Sequence, residues 1–190
     1  MAETKKRLVV GISGASGVIL GIRILEVLEQ TNIETHLIIS PAAKVTIAEE
    51  TDRAVSEVIA MADVVYNHAD IGAAVASGSF EAIGMIVVPC SIKTLSAVAN
   101  SYASDLMSRA ADVMLKEGRP LILVVRETPL HSGHLRLMSQ VAQAGGVIFP
   151  PVPAFYARPT SLADMIDNTV GRILARIGIE NDLYSKWKDT

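Results

Sequence analysis

Cysteine is nearly missing from this chain. Cys90 is the single one, which excludes an internal disulfide and fits a reducing compartment. Aromatic residues are only 4% of the sequence and charged residues 19%, so the apolar content is mostly Ala, Val, Ile and Leu. A surplus of positive charge is missing too: 17 Lys and Arg against 20 Asp and Glu leave a net charge of −3. The one dense basic cluster, Lys5-Lys6-Arg7, lies at the N-terminal end, and nothing in this balance points to nucleic acid. No apolar run reaches the ~20 residues that span a bilayer, and the stretch behind MAETKKR is broken by glycines, unlike a signal-peptide core. The expectation is a cytoplasmic protein with no nucleic acid and no membrane partner.

What is abundant is aliphatic sequence in short continuous runs, the pattern of parallel strands buried on both faces. The length suits one domain over residues 1–190, and the apolar composition leaves room for other subunits to cover part of the surface. Strands are expected at 7–10, 35–39, 83–88 (closed by Pro89), 121–125 and 147–149. Helices are expected at 18–30, 42–50, 56–62, 94–99, 104–116 (stopped by Gly118), 135–144 and from the Ser161 cap through 177; residues 63–79 read as an irregular connection. Strand alternating with helix implies a three-layer α/β fold, Rossmann-like or flavodoxin-like, with helices on both faces of a parallel sheet.

Ligands of such sheets sit outside the carboxyl ends of the strands. Strand one runs into GISGASG at 11–17, where glycines allow a tight turn and Ser13 and Ser16 offer hydroxyls to a phosphate. The next strand ends at Ser40, the third in PCSIKT at 89–94, the fourth at Arg126-Glu127 and the last in PPVPAFYARP at 150–159. Two hydroxyl-rich loops that open helices suit a nucleotide-like cofactor. Arg109 and Lys116 are seven apart on one helix face, and with Arg126 they suggest a second, smaller anion. Glu127 reads as a general acid or base, or as an ion-pair partner at a buried strand end. His131 and His134 have a metal-capable spacing but no Cys or carboxylate set beside them, and Ser132 reads as a helix cap, so no metal is expected. Cys90 reads as a small core residue rather than a nucleophile.

Together GISGASG, ASGSF at 76–80, PCSIKT, RAADVMLKEGRPLILVVRETPLHSGHL and FPPVPAFYARP resemble the UbiX/Pad1 family of flavin prenyltransferases, in order over nearly the whole chain. The resemblance implies transfer of a dimethylallyl group from dimethylallyl phosphate to N5 and C6 of reduced FMN, without metal. The prenylated FMN would then serve a UbiD-type decarboxylase. It implies FMN contacts from Gly14, Ala15, Ser16, Ser40, Ser91, Ile92, Lys93, Thr94 and Arg126. The donor would be bound by Ala76, Ser77, Arg109, Lys116, Arg126, Tyr156 and Arg172. Ser16, Glu50, Lys116, Glu127 and Trp187 would serve the chemistry, Trp187 through a π face toward developing positive charge. The family's dodecamers imply a homo-oligomer with sites shared between subunits. Two rivals remain: an FMN-dependent cysteine decarboxylase-like flavoprotein, which usually reads PASANT where this chain has PCSIKT, and a non-catalytic flavin carrier or partner subunit of a decarboxylase.

Overall fold

The computed structural model describes residues 5–188. Its centre is β1 (Lys6–Ile12), where alternate side chains serve opposite faces of the sheet. Leu8, Val10 and Ile12 join one buried cluster with Ile22, Leu25 and Ile173, while Val9 joins another with Met85, Val87, Met107 and Ala110. One short aliphatic strand therefore cements helices on both sides.

Among the described residues the sheet has six strands, all parallel. β2 (Ile33–Ile39) and then the edge strand β3 (Val64–Tyr66) lie to one side of β1; β4 (Gly84–Cys90), β5 (Leu121–Val125) and β6 (Val147–Ile148) follow on the other. The helices are α1 (Val18–Leu28), α2 (Pro41–Glu50), α3 (Val55–Ala60), α4 (Ile92–Ala99), α5 (Leu106–Lys116), α6 (Ser132–Gln143) and α7 (Leu162–Arg176). Single 3-10 turns cover Ala74–Ala76 and Phe155–Ala157.

Three expectations need correction. The sequence reading gives five strands and an irregular 63–79, but three residues of that stretch form β3 on β2, too few for periodicity to register. The reading also ends the third strand at Pro89, whereas β4 continues through Pro89 to Cys90; proline has no N–H for the ladder, and the pairing with β5 is irregular between Val87 and Cys90. Finally, α6 begins at Ser132, and its cap is the preceding His131, whose Nδ1 accepts the Gly133 N–H at 3.0 Å. Ser161 does cap α7, accepting the Asp164 N–H at 3.1 Å, and the Asp164 carboxylate accepts from Thr160 and the Ser161 N–H in return. Those hydrogen bonds, the Thr160 hydroxyl first, hold the Asp164 carboxyl down to about 2.

Candidate cofactor and phosphate site

Because every strand points the same way, the β1–α1, β2–α2 and β4–α4 loops and the residues after β5 share one edge. Ser13 locks two of them together. Buried at 1% exposure, it donates its hydroxyl to the Pro89 carbonyl at 2.8 Å and accepts the Ser91 N–H at 2.8 Å. The sequence offers Ser13 to a phosphate; in the fold that hydroxyl is held inside the scaffold. Ser91 caps α4, accepting the Thr94 N–H at 3.3 Å and lying 3.2 Å from the Thr94 hydroxyl. The first-turn N–H groups of Ile92 and Lys93 have no partner within the helix and stand at its positive end. Ser40 caps α2 in the same way, accepting the Ala43 N–H at 3.1 Å.

Gly14 brings the first loop against the start of α2. A Cβ there would stand 2.3 Å from the Ala42 Cβ, so only a bare backbone passes this point. The N-terminus of α1, the natural place for an anion, is already filled: Glu50 Oε2 accepts the Gly17 N–H at 2.8 Å and the Val18 N–H at 3.2 Å. An external phosphate at that helix end is therefore replaced by a carboxylate of the chain, with Ala15 and the exposed Ser16 beside it. Arg126 is tied to β4 by its N–H, which donates to the Cys90 carbonyl at 3.1 Å. Both Arg126 and Glu127 are exposed, not buried as the strand end suggested, because the five strand residues bury and the chain then leaves the sheet.

The edge suits a cofactor bearing a phosphate: two capped helix N-termini, a glycine-lined approach and exposed Lys93 and Arg126 converge there. Cys90 does not join it chemically. Fully buried, its thiol is pushed far up from its ordinary value, which leaves no thiolate to act as nucleophile. Among the described residues no cluster of three or more His, Cys, Asp or Glu is arranged to hold a metal ion.

The expected phosphate ligands do not all come together within one chain. Lys116 ends α5, and only four residues separate it from the start of β5 at Leu121, so Lys116 lies at the opposite edge, where strands begin. Ala76 and Ser77 lie there as well: a Cβ on Gly78 would be 2.8 Å from Lys116 Nζ. The two edges are separated by a strand length, about 20 Å for seven residues. Arg109 stands two turns back along α5, paired with Asp112 at 2.9 Å. Arg172, on α7, lines a cleft of about 220 Å³ with Phe149, Pro150 and Asn168. Tyr156 packs edge-to-face on Trp187 with ring centres 5.3 Å apart, and both are exposed. Sequence reasoning missed the structural role of Ser13 and the approach at Gly14; the GISGASG spacing was the available signal for both.

A six-stranded parallel sheet with capped helix N-termini at its carboxyl edge defines a nucleotide-cofactor-binding α/β protein. The family model Flavoprotein matches residues 1–173. Flavin prenyltransferase UbiX of Escherichia coli (strain K12) is 58% identical over 186 residues, covering 96% of this chain and 98% of that protein. The crystal structure of AnUbiX (PadA1) in complex with FMN and dimethylallyl pyrophosphate superposes with a TM-score of 0.96 at 52% identity, covering 98% of this chain and 99% of that one. A dodecameric FMN-dependent UbiX-like decarboxylase from Escherichia coli O157:H7 gives a TM-score of 0.93 at 45% identity over 96% of this chain and 99% of that one. The chain belongs to the UbiX/Pad1 flavin prenyltransferases, enzymes within the wider flavoprotein family.

Proposed function

We propose that this chain, acting as one flavin-binding domain in the cytoplasm, joins the dimethylallyl group of dimethylallyl phosphate to reduced FMN. The prenylated FMN then passes to a UbiD-type decarboxylase. The observation that carries this reading is the convergence of Ser16, Ser40, Ser91, Lys93 and Arg126 on one sheet edge, in a chain of this family. Reduced FMN, when bound, supplies the N5 and C6 positions that take up the prenyl carbon.

The residues of the chain do the rest. Gly14, Ala15, Ser16, Ser40, Ser91, Ile92, Lys93, Thr94 and Arg126 hold the flavin through hydroxyls, N–H groups and positive charge. Lys116, Arg126, Tyr156 and Arg172, with Arg109, Ala76 and Ser77, hold the donor phosphate and stabilise the charge that grows on it as the allylic C–O bond opens. Lys116 reaches the flavin edge of a neighbouring copy, which makes the working unit a homo-oligomer, a dodecamer by analogy with the relative of that assembly. Glu127 handles the proton lost from C6, assisted by the released phosphate. Glu50, pinned by two N–H groups beside Ser16, is the second carboxylate of the site. Trp187 presents its π face to the allylic cation.

The test is chemical: FMN, dithionite and dimethylallyl phosphate are incubated with the protein in the presence of EDTA and the flavin is weighed by mass spectrometry. A gain of one isoprene unit supports the reading; an unmodified flavin overturns it.

A further inference from the structure

α5 ends in a turn that aims Arg119 at a loop. Gly118 adopts φ +65°, and the chain closes with the Arg119 N–H on the Met114 carbonyl at 2.8 Å and the Gly118 N–H on the Leu115 carbonyl at 3.1 Å. This paired closure needs a left-handed residue at Gly118, and it folds Arg119 back across the helix end that carries Lys116. The guanidinium then donates from Nη2 to the Gly78 carbonyl at 2.8 Å and from Nη1 to the Phe80 carbonyl. A fork of two nitrogens is suited to two carbonyls on one loop; a single ammonium is not.

The loop is held from its other end by Phe80. That ring meets His36 edge-on with centres 4.9 Å apart, and the Arg7 guanidinium lies 5.2 Å from its centre. On either side of Gly78 stand Ser77 and Ser79, their hydroxyls 2.8 Å apart. Lys116 pairs with the Glu117 carboxylate in the same turn, and that pairing holds the Glu117 carboxyl below its ordinary value. Gly78 packs directly against both charges.

We propose that Arg119 is a positioning residue for donor binding. It fixes the Ser77–Phe80 backbone against the Lys116–Glu117 turn, so that Ser77 and Lys116 reach a phosphate as one rigid unit. The inference rests on the reading of Lys116 and Ser77 as phosphate ligands. Positional errors of about an ångström at such ligands cost large factors in use of the substrate.

The test uses the protein loaded with oxidised FMN and titrated with dimethylallyl phosphate by calorimetry, together with amide hydrogen exchange. Arg119→Ala is expected to weaken donor binding about tenfold and to speed exchange at Ser79 and Phe80, with FMN affinity unchanged. Arg119→Lys, which serves one carbonyl at a time, is expected to give an intermediate loss and replaces the alanine variant should that not fold. Lys116→Ala combined with Arg119→Ala is expected to lose less than the two single losses together, because Arg119 acts in part through Lys116. Full additivity, or unchanged donor affinity in both Arg119 variants while Lys116→Ala weakens it, overturns the positioning role. Unchanged donor affinity in Lys116→Ala overturns the phosphate reading beneath it.

Discussion

Ser13 and Ser91, 78 positions apart in sequence, share one hydroxyl: Ser13 Oγ accepts the Ser91 N–H while donating to Pro89. Removing it leaves a partly buried N–H without its partner, a loss of about 1 kcal/mol. Ser13→Ala is therefore expected to lower Tm by several degrees and to weaken FMN binding, since the two loops it ties both face the cofactor edge. Thermal unfolding and a flavin fluorescence titration check this; an unchanged flavin affinity would mean that the loops keep their places without the tie.

Gly14→Ala acts by volume. The added methyl would meet the Ala42 methyl at 2.3 Å, so the first loop or the start of α2 must move. The expected outcome is a loss of FMN affinity of tenfold or more with modest change in folding stability, read by equilibrium dialysis and chemical denaturation.

Placing Lys116 and the flavin loops at opposite sheet edges makes a prediction about mixtures. A Lys116→Ala chain keeps the flavin half of the site, and a Gly14→Ala chain keeps the phosphate half. Each oligomer alone is expected to be nearly inactive. Co-expressed, they form some interfaces in which both halves are intact, so prenylation is expected to recover in part. Failure to recover activity from demonstrably mixed oligomers would place both halves in one chain.

Glu127→Gln keeps the shape of the side chain and removes its basic oxygen. FMN and donor binding are expected to persist while the rate of prenylated flavin formation falls ~10²–10⁴-fold, the usual range for general acid–base help. Single-turnover absorbance measures this. A wild-type rate would leave the proton to phosphate alone.

His36 gives a pH dependence. Burial pushes its pKa down, against the pull of Glu34, whose carboxylate lies 2.7 Å from Nε2; Arg7 adds to the lowering and Asp63 opposes it, while the Tyr66 hydroxyl is 2.9 Å from Nδ1. The unfolded histidine binds its proton first as pH falls, so this contribution to stability is complete above the ordinary value of about 6.5 and is lost below it. Denaturant midpoints at pH 7.5 and 5.5 are expected to differ in that direction, with a smaller difference in His36→Gln.

Much of this was legible in the residues. Continuous aliphatic runs at Leu8–Val10 and Leu121–Val125 announce strands buried on both sides, and Ser161 announces the start of α7; Ser40 and Ser91 read as strand-end hydroxyls, and their caps on α2 and α4 emerge only in the fold. β3 escaped because three residues at a sheet edge carry no measurable period. Lys116 misled because helical spacing gives the face on which a residue sits, whereas the end of the sheet it reaches depends on where α5 hands over to β5. Glu50 shows the same limit: its role as the anion of α1 joins the end of one helix to the start of another, a pairing that only the closed chain displays.

Burial of Cys90 bears on survival in air. Reduced flavins generate hydrogen peroxide when they meet oxygen, and the first protein groups to suffer are exposed thiolates. Here the only sulfhydryl lies at the end of β4 beside β5, packed in one buried cluster with Leu95 and Val98 of α4, fully shielded and held in its protonated form. A protein that handles reduced FMN thus offers the oxidant it helps to create no sulfur to convert into sulfenic acid.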